Sequence, residues 1–179
     1  MQEGLTVKVL TRSKRIKSAL TTVLNRLPSA ARIKVEGFLF RITTNRGWRT
    51  LGLGDFDPSS AVVAPLFLSL DQIGTSRYKC QLYFNLPIVR LFSNKALIGI
   101  VAHELAHVHI AAELGKGWHE KMKRRERAYE LAANRLAERW GFAAEIARMH
   151  EERLKKVNLI LDKRARCIMT RINTKYTTG

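Results

Sequence analysis

With 179 residues, 46% of them hydrophobic, the chain fits one domain that can bury a core without disulfide or metal staples, so a bound metal need not be structural. No uninterrupted apolar run approaches the roughly 20 residues that span a bilayer, and two cysteines, Cys80 and Cys167, without CxxC spacing argue against a redox pair or a zinc ribbon. The net charge of +17 leaves room for an acidic partner, and the excess sits at the ends: residues 1–50 carry 11 basic and 2 acidic side chains, and residues 151–179 carry 8 and 3.

The first residues, MQEGLTVKVLTRSKRIK, hold an early acid and lack the basic start, apolar stretch and small-residue cleavage site of a secretory leader, which places the protein in the cytoplasm. Leu5 to Leu10 alternates as a short strand. Ser13 to Leu27 sets Ile16, Leu20, Val23, Leu24 and Leu27 on one helical face, and Pro28 ends that helix. Residues 32–44 (RIKVEGFLFRITT), rich in β-branched and aromatic side chains, read as a second strand, followed by a loop with Gly47, Gly52, Gly54 and Pro58. Residues 61–70 and 77–86 then read as the strands of a hairpin around Gly74, Thr75 and Ser76. Pro65 directs the first of them to a sheet edge, where a missing N–H is tolerated. Cys80 falls in the second strand and Cys167 on a late helix, and both read as buried thiols of a reducing compartment.

From Ser93 onward the period becomes helical. Ser93 is a sound N-cap for a helix through LIGIVAHELAHVHIAAEL, which Gly115 and Gly117 terminate. The next helix spans roughly Glu120 to Trp140 with Gly141 as its stop, and the remainder keeps helical spacing to about Ile172. The expected fold is a single α+β domain in three parts: a helix and sheet over 1–92, two site-bearing helices over 93–141, and a basic helix and tail over 142–179.

Within the first of those helices, His103-Glu104-Leu105-Ala106-His107 is HExxH. Positions four apart share a helix face, so both imidazoles can bind one zinc ion. Zinc lowers the pKa of a bound water from about 16 to near 7, and Glu104, directly after the first ligand, is placed to take its proton as general base and pass it to the leaving amine. A catalytic zinc site needs a third protein ligand. Glu130, in ERAYELAANRLAERWGF, lies on a helix long enough to pack across the first, and Asn134 follows one turn later on the same face. Asn134 can accept the N–H of a zinc-bound imidazole, with His103 as the expected partner. His119, in GKGWHEKM, is the competing third ligand, whereas His109 falls on a different face from His107.

IVAHELAHV followed by ELAANRLAERWGF resembles the gluzincin pattern HExxH…ExxAD of zinc metallopeptidases, with Asn134 at the final position. The resemblance is to the soluble catalytic domains of the Ste24/HtpX type and the minigluzincins, and to the ImmA/IrrE-like group, whose helix often reads ExxAN. It covers residues 82–142. It implies a zincin-like fold: a small, mostly antiparallel sheet on a backing helix, an active-site helix, a glutamate helix and a C-terminal helical extension. It also implies one catalytic zinc ion and hydrolysis of an extended or unstructured polypeptide that adds as a strand to the sheet, with residues 61–70 as the pairing edge.

His119 and the charge of +17 favour a second reading, a basic nucleic-acid-associated protein resembling the Spartan/SprT proteases that act near DNA, with contacts through the basic termini. No aromatic-interleaved patch, zinc knuckle or helix-turn-helix pattern accompanies the charge. A third reading is latency, since the chain after Phe142 is long enough to cover a cleft. Tyr129, His150 and the nearby arginines stand undistinguished as donors to a developing oxyanion. No membrane association is expected, and nothing in the sequence fixes an oligomeric state.

Overall fold

The computed structural model describes residues 8–45, 61–65 and 80–155. In chain order the elements are β1 (Lys8–Leu10), α1 (Lys14–Arg26), α2 (Ser29–Phe38), β2 (Leu39–Asn45), β3 (Ala61–Pro65), β4 (Cys80–Asn85), α3 (Leu86–Val89), α4 (Asn94–Leu114), α5 (Trp118–Arg124) and α6 (Glu126–Ala137). A π-helical turn (Glu138–Phe142) leads from α6 into a further helix, α7, described over residues 143–155. The glycine-bearing loop at 46–60, residues 66–79 with Gly74, Thr75 and Ser76, and residues 156–179 with Cys167 lie outside the described residues.

The expected N-caps form. Ser13 accepts from the Ile16 N–H at 3.4 Å, and Ser93 from the Ala96 N–H at 3.2 Å, each satisfying one orphan donor of a first turn. α1 buries Ile16, Ala19, Leu20 and Val23 along one stripe, and α1 and α2 both pack on α4. Fourteen of the 21 residues of α4 are buried. Its nearly uniform apolar character therefore reflects a core helix surrounded by other elements. By length and composition α4 alone, among the described residues, could cross a bilayer, yet 72% of its apolar window is buried inside the protein.

Four expectations need correction. Residues 32–38 are helix, and only the later part of the 32–44 run is strand β2. After Pro28, whose carbonyl accepts the Arg32 N–H at 2.9 Å, a helix buries Ala31 and Val35 one turn apart and pairs Arg32 with Glu36 at 2.8 Å outside. Packing on α4 thus outweighs the β-propensity of Ile33 and Val35, and Ile33 is left 72% exposed.

The sheet is also not mostly antiparallel. Its order is β1-β2-β4-β3, with β1 parallel to β2, β2 parallel to β4, and only β3 antiparallel to β4. Two helices lie between β1 and β2, and a helical crossover returns the chain to the same end of a sheet and so makes neighbours parallel. β3 is an edge strand, with Pro65 opposite Cys80, as the proline requires.

The helix expected over Glu120 to Trp140 is broken at Arg125 (φ −133°, ψ 38°), where like charges one turn apart, Lys121 with Arg125 and Lys123 with Arg127, weaken a continuous helix. Gly141, expected as a stop, is instead a kink. Its φ of +89° redirects the chain into α7. Arg26 fastens that kink, donating to the Gly141 carbonyl at 2.7 Å and to Glu145 at 2.6 Å, with its guanidinium 4.2 Å from the centre of the Phe142 ring.

Candidate metal centre

The helical period of α4 brings His103 and His107 one turn apart on one stripe, and the rings meet edge to face with centroids 4.6 Å apart. α6 packs on α4 with two small, fully buried residues, Ala133 and Ala137. Small side chains there let the helices approach closely, which carries Glu130 and Asn134 to the histidines.

The donor atoms converge. His103 Nε2 lies 3.3 Å from Glu130 Oε2, His107 Nε2 lies 3.0 Å from Glu130 Oε1, and the two Nε2 atoms are 3.1 Å apart. Four donors arranged tetrahedrally at bond lengths of about 2.0–2.1 Å are spaced by about 3.3–3.5 Å. The trio fits a small divalent cation with little adjustment, and His103, His107 and Glu130 form a group that could hold a metal ion. His103 Nδ1 donates to Asn134 Oδ1 at 2.8 Å. With its Nδ1 proton held by Asn134, the ring has Nε2 left to face the centre, as a donor to Glu130 when it carries a proton and as a lone pair when it ligates a metal. His107 Nδ1 is buried without a partner among the described groups.

Electrostatics separates the two carboxylates. Hydrogen bonds from His103 and then His107 hold Glu130 well below the usual carboxylate range, against the opposing effect of burial, so it is an anion at the centre. Glu104, 7% exposed, is pushed up to about 7, chiefly by burial. The His103 and Arg153 charges pull it down and the Glu130 carboxylate adds to the rise. A carboxyl group poised near neutrality can both take and return a proton.

These groups open into a cleft of about 290 Å³ lined on its apolar side by Ala61, Phe92, Ile100 and Met149 and on its polar side by Glu126, Arg153 and the four site residues. Ala61 is the first residue of the edge strand β3, so the sheet edge reaches the cleft. Glu126 stands one turn before Glu130, a spacing visible in the sequence. Arg153 and Met149 come from α7, and their role at the cleft is not encoded in any spacing to HExxH. Tyr129 and His150 are not among the lining residues.

His119 is elsewhere. It lies on α5, edge-on to Trp118 and 3.6 Å from Glu120, and it is not a member of the converging group. His109 packs edge-on to Trp140 and sits 3.7 Å from Glu113, and burial lowers its pKa. Cys80 is a free thiol buried in β4, and burial pushes its pKa up. No family model matches the chain, and comparison with curated proteins and with solved structures gives no significant match.

Proposed function

We propose that the protein is a zinc-dependent endopeptidase acting on extended or unstructured polypeptides in the cytoplasm. The observation that carries this reading is the convergence of His103 Nε2, His107 Nε2 and both Glu130 oxygens within about one metal's width, with Glu104 buried beside them. Zinc held there would polarise the scissile carbonyl and lower the pKa of a water from about 15.7 to about 7. Glu104 then takes the proton of the attacking water and hands it to the leaving amine nitrogen. Asn134 holds His103 in the tautomer that leaves Nε2 free. The outer edge of β3, which among the described residues pairs with no further strand and begins at the cleft with Ala61, supports strand addition by the substrate.

The competing assignment, a nucleic-acid-associated protease with His119 as third ligand, draws on the basic charge alone, because Glu130 stands where its ligand would be needed. Retention on DNA or RNA at about 50 mM salt would support a nucleic-acid partner for the basic surface. The peptidase reading is tested by Glu104→Gln: zinc content stays at one per chain while cleavage of an unfolded protein falls by about 10²–10⁴-fold. A variant that cleaves as fast as wild type would remove the mechanism.

A further inference from the structure

α7 closes one side of the cleft with Met149 and Arg153, which are one turn apart. Three contacts fix this helix on its neighbours. At Gly99 of α4 a Cβ would lie 2.3 Å from the Glu145 carbonyl oxygen, so the two backbones meet with no side chain between them. Ile146 and Met149 are buried in the core. The buried Glu152 carboxylate accepts the Ser93 N–H at 2.9 Å and the Arg148 Nε–H at 2.7 Å, which ties α7 to the start of α4. Glu152 thereby sets the rotation of α7, and the next residue, Arg153, is turned to the cleft.

Three acids line the cleft, Glu104, Glu126 and Glu130, and Arg153 is the one lysine or arginine among the lining residues. Arg26, Arg32 and Arg148 each form an ion pair within 4 Å. Arg153 forms no ion pair or hydrogen bond with a described residue, although carboxylates share its cleft. An arginine present only to neutralise those acids would pair with one of them. Its N–H donors are instead uncommitted at the mouth of the metal centre, where a planar fork suits an anionic oxygen.

We infer that Arg153 binds the oxygen of the scissile carbonyl as it becomes an oxyanion, and that Glu152 is the residue that positions it. The inference rests on the peptidase reading above. As water adds to the carbonyl carbon, the C=O π pair moves onto oxygen and the guanidinium N–H groups donate to it, while Glu104 takes the water's proton. When the C–N bond breaks, the pair returns to the C=O bond and the nitrogen leaves with the proton from Glu104. Donors aimed at developing charge contribute only in the transition state, so their loss appears in kcat and leaves KM nearly unchanged.

The test compares zinc-loaded wild type, Arg153→Lys and Arg153→Gln; the side chain is exposed, so neither change opens a core. Each is measured for zinc content, for kcat and KM on a peptide substrate, and by calorimetry for binding a peptide phosphonamidate, a tetrahedral anion, and the matching neutral peptide. Arg153→Gln is expected to keep zinc, lose about 10²–10³-fold in kcat and lose phosphonamidate affinity by a similar factor, with neutral-peptide affinity unchanged and partial recovery in Arg153→Lys. Unchanged kcat and phosphonamidate binding would overturn the inference and leave the peptidase reading standing. A rise in KM confined to peptides with a free C-terminal carboxylate, absent for their amides, would overturn it in favour of substrate-carboxylate recognition. If zinc-loaded wild type neither cleaves nor binds the phosphonamidate, both readings fall.

Discussion

The side chains of His103 and His107 are 8% exposed, on a helix enclosed by other elements, whereas that of Glu130 is 46% exposed, on a helix that leaves Leu131 and Arg135 to solvent. α4 thus supplies a preformed pair of nitrogen donors whose geometry is locked by the core. α6 supplies a charged oxygen donor from the surface, held by two hydrogen bonds and a contact through Ala133 and Ala137. The lesson is a division of labour: α4 decides whether a metal can bind at all, and α6 tunes how tightly and with which tautomer.

Removing a donor from the locked side should have the largest effect. His107→Ala is expected to leave no stoichiometric metal after dialysis against a weak chelator, measured by elemental analysis, because the two remaining donors, His103 and Glu130, fall short of the three protein ligands a catalytic zinc site uses. Full occupancy in that variant would mean the centre lies elsewhere. On the α6 side, Glu130→Ala should weaken zinc by more than about 100-fold, beyond the range of contacts outside the ligand set, while His119→Ala stays within about twofold. The reverse ranking in a competition titration would transfer the third position to His119. Asn134→Ala should cost about 10–100-fold in the same titration, and Asn134→Asp should recover the loss because a carboxylate accepts the His103 N–H more strongly. Equal affinities in all three proteins would show that the 2.8 Å contact does not orient the ring.

The same division explains what could be read from the chain. HExxH needs only the 3.6 period, so His103, Glu104 and His107 come together through local geometry, and Glu130 with Asn134 follows from one more use of that period. The docking of one pair on the other depends on Ala133 and Ala137, whose smallness carries no sign of its partner. Where connectivity decides, period fails: β1 and β2 are parallel because α1 and α2 stand between them, β2 and β4 are parallel with the antiparallel β3 between them in the chain, and residues 32–38 took the helical form that buries Ala31 and Val35. Arg153 was hidden for a further reason. Gly141 has the composition of a helix stop, and only its positive φ, with Arg26 bonded across the kink, reveals that the chain turns back to line the cleft.

Gly99 gives the smallest effect on the metal and the most selective one on the cleft. It lies one turn before His103 on the same stripe of α4, at the point where α7 crosses. Gly99→Ala gains up to about 1 kcal/mol in helix propensity, but overpacking costs about 1–3 kcal/mol. A Cβ 2.3 Å from a backbone oxygen cannot be relieved by turning a side chain, so α7 itself must move. The expected outcome is a net loss of up to about 2 kcal/mol in urea denaturation, zinc affinity within about twofold of wild type, and reduced cleavage as Met149 and Arg153 retreat from the cleft. Because the histidines and Glu130 do not pass through that contact, metal binding and turnover should separate in this variant. If zinc affinity falls in step with activity, α7 is part of the support of the metal centre, and the division between a locked α4 and an adjustable surface no longer holds.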